Sequence, residues 1–299
     1  MKLLKSLLEV TRPPFLLLTL VIMALVVATA SYEGFDWSGA LFMLVLLGAV
    51  SAHISVNILN ELEDYESGLD AMTQKTPFSG GSGALIKNPQ AAEAVGSLGY
   101  LFLGIVISLG GFFVYLRGWE LLPIGIAGLL LIVFYTSKIT RRPWLCLISP
   151  GLAFGPLMMT GSYFVLTGEY SWVIFGLSII VFLLVNNLLL LNQFPDEEAD
   201  RKVGRFNILM HLGSQNSSVI FNSFLGLSYL VLAYMIIDGW LPYWAGLGFF
   251  TLILAWPLRV TVKYHHHSLT KLLPALGLNV SVVLLLPSLI AVGLVLALP

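Results

Sequence analysis

The feature that most limits this chain is a succession of apolar runs. Nine stretches long enough to form membrane helices lie near residues 14–31, 38–59, 96–116, 120–136, 146–166, 172–194, 218–237, 240–258 and 274–298. A helix needs about 20 apolar residues to cross the hydrocarbon core. Within that core every backbone N–H and C=O must be satisfied inside its own segment, so helices are the expected element. The fold expected is therefore all-α and polytopic, one transmembrane domain over 1–299. The third and fourth runs, and the seventh and eighth, are separated only by "RGWE" and "DGW", which predicts tight hairpins. The eighth run is the weakest, bracketed by Pro242 and Pro257.

Composition supports this reading. Hydrophobic residues make up 58% of the chain and charged residues 10%, against about 25% charged in soluble domains. Too few charges remain to cover a water-facing surface. The single cysteine, Cys146, excludes a disulfide framework and a cysteine-based metal site. Near the N-terminus, Lys2 and Lys5 precede an apolar run, but Glu9, Arg12, Pro13 and Pro14 interrupt it, so no cleavable signal is expected.

Basic residues orient the spans. With the N-terminus placed in the cytoplasm, alternation puts Lys2, Lys5, Arg12, Lys75, Lys87, Lys138, Arg141, Arg142, Arg201, Lys202, Arg205, Arg259, Lys263 and Lys271 on the cytoplasmic side. Only Arg117 falls on the other side. The loops there are short, whereas 60–95 and 193–217 are long and open with acidic clusters. A multi-pass protein of the cell (inner) membrane is expected, with its functional loops cytoplasmic.

Those two entrances resemble each other. One reads "NELEDYESGLD" from Asn60, the other "NQFPDEEAD" from Asn192. In each an Asn precedes an Asp by four residues, and both pairs are offset by 132 residues (60 to 192, 64 to 196). One follows the second span and the other the sixth. This predicts two pseudo-repeated four-helix halves plus a ninth helix. Residues four apart share a helix face, so Asn60 aligns with Asp64, and Asn192 with Asp196 and Asp200. Asp70 falls off that face, and Gly68 is expected to end the helix and turn Asp70 back. Pro195 predicts a break or kink in the second helix.

Closely placed carboxylates repel unless a cation intervenes. Oxygen ligands without His or Cys select hard ions such as Mg²⁺, which is typically held by a few carboxylates together with phosphates. The clusters therefore read as two metal-binding walls around a polyphosphate. Arg201, Lys202, Arg205 and Lys75 follow the clusters, and "YTSKITRR" adds Tyr135, Lys138, Arg141 and Arg142 after the fourth run. A charge run beside a span is more often a solvated anchor. Two such runs at matched topology, each led by an Asn, outweigh that reading.

With these motifs in view, the chain resembles the UbiA superfamily of intramembrane prenyltransferases over nearly its whole length. The family's first motif is like N-D-x-x-D-x-x-x-D, matched here by Asn60, Glu61, Asp64 and Asp70. Its second is like D-x-x-x-D, matched by Asp196 and Asp200. "DEEADRKVGR", an apolar stretch and "HLG" follow the family's second-motif pattern, with Asn207 near an expected Thr. "NELEDYESGLD" and "FGPLMMTGSYFVLTGEYSW" are most similar to the branch that prenylates 1,4-dihydroxy-2-naphthoate for menaquinone.

The resemblance implies Mg²⁺ held by Asp64, Asp70, Asp196, Asp200 and Glu61, with Asn60 assisting. It implies a polyprenyl diphosphate neutralised by Lys75, Tyr135, Lys138, Arg141, Arg201, Lys202 and Arg205. An aromatic acceptor would attack the allylic cation. His53, Asn57, Asn187 and Asn192 are candidates for the acceptor or cavity wall, Phe112, Phe113 and Phe154 for the tail. "SGGSG" (79–83) is a candidate phosphate cradle or hinge. Other acceptors (4-hydroxybenzoate, homogentisate, a glycerol phosphate lipid, haem, chlorophyllide) stay open. A secondary transporter is a more distant alternative, because its ion site would be expected near the bilayer midplane. The partners implied are the donor, the acceptor and the bilayer, with no nucleic acid.

Overall fold

Apolar runs become helices wherever the chain can hide its backbone, and the computed structural model, which describes residues 2–73 and 80–298, follows that rule throughout. Among the described residues there is no strand. The helices are α1 (Lys2–Val10), α2 (Pro13–Tyr32), α3 (Gly39–Glu66), α4 (Leu69–Met72), α5 (Ala84–Lys87), α6 (Ala92–Arg117) and α7 (Leu122–Phe134). They continue as α8 (Pro143–Leu152), α9 (Met158–Thr167), α10 (Trp172–Lys202), α11 (Ile208–Ile237), α12 (Leu252–His265) and α13 (Leu269–Leu296).

Eight spans among the described residues are long and apolar enough to cross a membrane, and Trp119–Phe134 is a ninth, shorter apolar helix. The order matches the nine runs. The eighth is the irregular one, as its prolines suggest: a 3₁₀ stretch, Tyr243–Thr251, leads into α12. The fifth is also interrupted. A π turn at Ala153–Leu157, containing Pro156, joins α8 to α9. Such turns form where the regular hydrogen-bond ladder is disturbed.

The two halves share an arrangement. α3 packs along α6, and α10 packs along α11, its counterpart pair. α13 packs against α2, α10 and α12, as the ninth helix of the scheme. Burial is uneven. In its most apolar window α10 is 67% buried and the α6 span 11%, and α7 has no buried residue. The core therefore sits around α10, α2 and α13, while α6 and α7 form an outer wall. Between that wall and the core lies a cavity.

The backbone of α8 and its π turn comes very close to α10. A Cβ on Gly151 would lie 2.3 Å from the Phe182 carbonyl oxygen, and the Gly151 N–H donates to Asn186 Oδ1 at 2.7 Å. This accounts for one polar residue inside the sixth span: Asn186 joins two helices. Pro195 does not break α10, which runs unbroken to Lys202. Proline keeps a helix-compatible φ and forfeits one backbone hydrogen bond, a loss this packed helix absorbs.

Candidate active site

Helix α3 carries the first acidic motif past the end of its apolar run, so Asn60, Glu61 and Asp64 stand on regular helix. It ends at Glu66, and Gly68 takes a left-handed backbone (φ 77°) that starts α4. A side chain would strain this turn. The reversal returns Asp70 to the interior, where it is buried. The second motif needs no reversal, because Asn192, Asp196 and Asp200 lie on successive turns of α10.

One cavity of about 950 Å³ receives both motifs. Asn60, Asp64 and Asp70 line it from the first half, Asn192, Asp196 and Asp200 from the second. Arg205 ties the halves together. Its Nη2 donates to Asp64 Oδ1, and its Nη1 donates to Asp200 Oδ1 at 3.2 Å. Burial opposes the guanidinium charge, but Asp64 and Asp200 outweigh it and hold its pKa above the ordinary arginine value. Asn207 holds the other oxygen of Asp200 through Nδ2 at 3.2 Å, while its own Oδ1 caps α11 by accepting from Met210 N–H. The turn after α7 joins the same end: Asn60 Nδ2 donates to Thr136 Oγ1 at 3.3 Å, and Phe206 N–H donates to the Thr140 carbonyl. Tyr135 lines the cavity.

Glu61, expected among the metal ligands, is committed elsewhere. It is fully buried and accepts from Arg12 Nε at 2.8 Å, from Ser82 N–H at 2.6 Å and from Ser82 Oγ–H at 2.7 Å. A carboxylate with that many charge-assisted and backbone donors is a structural anchor. It holds Ser82, just ahead of α5. Gly81 (φ 67°) lies against it: a Cβ there would sit 2.7 Å from Asp70 Oδ1 and 3.1 Å from Glu61 Oε1. The glycine-rich segment thus cradles the protein's own carboxylates. Its Ser79, like Lys75, lies outside the described residues.

Asn187 is a second correction. It does not line the cavity. It is buried between helices, donating to the Phe221 carbonyl at 2.9 Å, while Asn279 donates to its backbone carbonyl. Lys138, Arg141, Arg201 and Lys202 are exposed and do not line the cavity either. Arg201 pairs with Glu197 at 2.9 Å, and the Lys138 ammonium lies over the Phe134 ring.

His53, Asn57 and Asn192 do line it. His53 Nδ1 shares a 2.8 Å hydrogen bond with Thr19 Oγ1, and the ring meets Phe154 edge to face at 4.8 Å. Asn57 Nδ2 donates to the Thr11 carbonyl. Beyond these the lining turns apolar: Val106, Leu109, Phe113, Ile124, Leu129 and Leu157 are part of it. Phe154 is part of the lining and Phe112 is not. Sequence reasoning gave no site role to Arg12 or Thr136, and named Ser82 only within the glycine-rich segment and Asn207 only as a motif position. The Arg-Pro-Pro start of α2 was the one visible signal, a charge set directly against a span.

The geometry joins oxygen donors from both halves at one end of a long apolar cavity. Such a site can take a hard cation with an anion at that end and a hydrocarbon chain along the rest. Among the described residues no three His, Cys, Asp or Glu side chains are gathered tightly enough to hold a metal. Arg205 stands between Asp64 and Asp200.

Comparison with known proteins gives the same picture. A 1,4-dihydroxy-2-naphthoate octaprenyltransferase of Bacillus subtilis (strain 168) is 26% identical over 202 residues, 67% of this chain. The match spans 63% of that relative's length. A UbiA homolog from Aeropyrum pernix K1 shares the fold with a TM-score of 0.71 at 15% identity, covering 93% of this chain and 97% of its own. A UbiA homolog from Archaeoglobus fulgidus bound to GPP and Mg²⁺ aligns with a TM-score of 0.62 at 13% identity, over 96% and 99% of the two chains. The model of the UbiA prenyltransferase family matches residues 16–296, so the chain belongs to the UbiA prenyltransferase family.

Proposed function

We propose that this chain transfers a polyprenyl group from a prenyl diphosphate to an aromatic acceptor within the membrane, with 1,4-dihydroxy-2-naphthoate as the acceptor. One observation carries the reading: Asp64 and Asp200, from the two halves, meet through Arg205 at the polar end of a single apolar cavity. The basic asymmetry of the loops assigns that end to the cytoplasm.

The donor set fits magnesium. Asn60, Asp64, Asp70, Asn192, Asp196 and Asp200 offer only oxygen ligands from their side chains' acceptor atoms, as a hard cation requires. When bound, Mg²⁺ supplies charge neutralisation to the departing diphosphate. The chain supplies the rest. Arg205 supplies a positive charge that stabilises the departing diphosphate. The C1–O bond breaks with its electron pair going to the diphosphate, and the allylic carbon is attacked by an electron-rich ring carbon. That ring carbon then loses its proton.

The apolar lining serves the tail, whose burial is worth about 0.8 kcal/mol per CH₂. It also keeps water from the cation. His53, Asn57 and Phe154, which line the same cavity, offer the acceptor polar groups and an aromatic face. The acidic residues' place at the span ends, rather than at mid-length, favours an enzyme over a transporter.

The test is direct. Purified protein, Mg²⁺ and a labelled polyprenyl diphosphate are incubated with 1,4-dihydroxy-2-naphthoate, 4-hydroxybenzoate or homogentisate in parallel. Label should move to the naphthoate. Transfer to a different acceptor alone would keep the reaction and correct the substrate. No transfer to any acceptor, with intact protein, would reject the proposal.

A further inference from the structure

Arg205 occupies an unusual position. It belongs to the short turn between α10 and α11, yet its guanidinium reaches across to the first half. Its two nitrogens take Asp64 Oδ1 and Asp200 Oδ1, and the side chains of all three residues are at most 16% exposed. Among the described residues no other cation forms an ion pair with either carboxylate. The fork therefore holds oxygens that the function above gives to a metal. A guanidinium and a divalent ion compete for those oxygens, because like charges brought close together repel.

We propose that Arg205 is the resident placeholder of the metal site: it neutralises Asp64 and Asp200 before loading, releases both when a divalent cation arrives, and turns its charge onto the incoming diphosphate. This rests on the proposed function for the metal as well as for the diphosphate. The surroundings suit such an exchange. Asp200 stays fixed through Asn207 on its other oxygen, so Arg205 can leave without the carboxylate moving. Arg205 follows Gly204, whose left-handed backbone (φ 76°) ends the helical path of α10, so the arginine is carried by a turn and not by the rigid span.

Two effects of opposite sign follow. Arg205→Gln should bind metal more tightly without substrate, because a competitor is gone. It should bind the diphosphate more weakly once metal is present. A residue that merely braced the site would weaken both. Mn²⁺ binding to the purified protein is read by electron paramagnetic resonance, then binding of a prenyl thiolodiphosphate at saturating Mn²⁺. The expected result is about tenfold tighter Mn²⁺ binding, equivalent to about 1.4 kcal/mol, with analogue binding weakened by a similar factor. Unchanged or weaker Mn²⁺ binding would overturn the proposal.

If Arg205→Gln does not fold, the wild type decides. Arginine labelling with p-hydroxyphenylglyoxal, read by mass spectrometry, should rise at Arg205 with Mg²⁺ alone and fall again when the thiolodiphosphate is added. No rise with Mg²⁺ would overturn the proposal equally. Wild type that binds Mn²⁺ but never the thiolodiphosphate would contradict the prenyl-transfer reading, while the metal arm still judges the exchange.

Discussion

The two halves present the same carboxylates by different means. In the second half a single helix does the work: α10 carries Asn192, Asp196 and Asp200 through Pro195 without interruption. In the first half α3 stops, Gly68 reverses the chain, and a four-residue helix brings Asp70 back beside Gly81, next to the Ser82 that Glu61 holds. One motif is held by helix periodicity, the other by a turn and by the hold of Glu61 on Ser82. A regular helix is insured by its neighbours, whereas a turn depends on one residue's φ. The first half should therefore tolerate backbone change less well than the second.

The largest effect should treat the halves alike. Asp64→Ala and Asp196→Ala should each cut prenyl transfer by about 10²–10³-fold, the loss typical of removing one electrostatic contributor to a transition state. Labelled-product assays on folded protein check this, and a variant with near-normal turnover would remove its carboxylate from the site. Next comes Glu61. Glu61→Gln strands the Arg12 charge, and breaking a buried pair costs about 3 kcal/mol. Melting in detergent should fall sharply, while Mn²⁺ affinity of the surviving folded protein stays near wild type. A selective loss of metal affinity would return Glu61 to the ligand set.

Smaller effects separate the backbones. Gly68→Ala forces a Cβ into the left-handed region at a cost of about 1 kcal/mol, and by moving Asp70 it should lower kcat several-fold. Pro195→Ala restores a helical N–H to a helix that is already continuous, so stability should stay level or rise by less than about 1 kcal/mol, with turnover unchanged within a factor of two or so. Equal sensitivity at both sites would erase the contrast between the halves. Asn207→Ala removes the α11 cap, worth about 1 kcal/mol, and also frees Asp200. A drop in melting temperature with a modest rise in KM for the diphosphate is expected.

Much of this was legible in the chain itself. Run length and the basic asymmetry order the spans because the bilayer imposes one length and one charge rule. The Asn-to-Asp spacing placed Asn60, Asp64, Asn192, Asp196 and Asp200 on shared faces, since helix period is local. The return of Asp70 was readable from Gly68. What sequence could not supply were partners from distant segments. Arg12 meets Glu61 across 49 residues and Ser82 meets it across 21, so Glu61 read as one more acid in a motif. Asn187 read as a costly polar group facing a cavity, whereas it satisfies a carbonyl of α11. Pro195 read as a break because its cost is local, and the packing that absorbs that cost is not.

The central claim is that the two halves grip one metal-bound diphosphate together. A double-mutant cycle on Asp64→Asn and Asp196→Asn, read as Mg²⁺-dependent binding of a radiolabelled prenyl thiolodiphosphate, tests it most directly. If both carboxylates serve one complex, each single variant should lose most of the metal-dependent binding and the double variant should lose little more, a strongly non-additive cycle. Losses that simply add, or a variant in which metal-dependent binding persists undiminished, would show that the halves do not act on a common ligand.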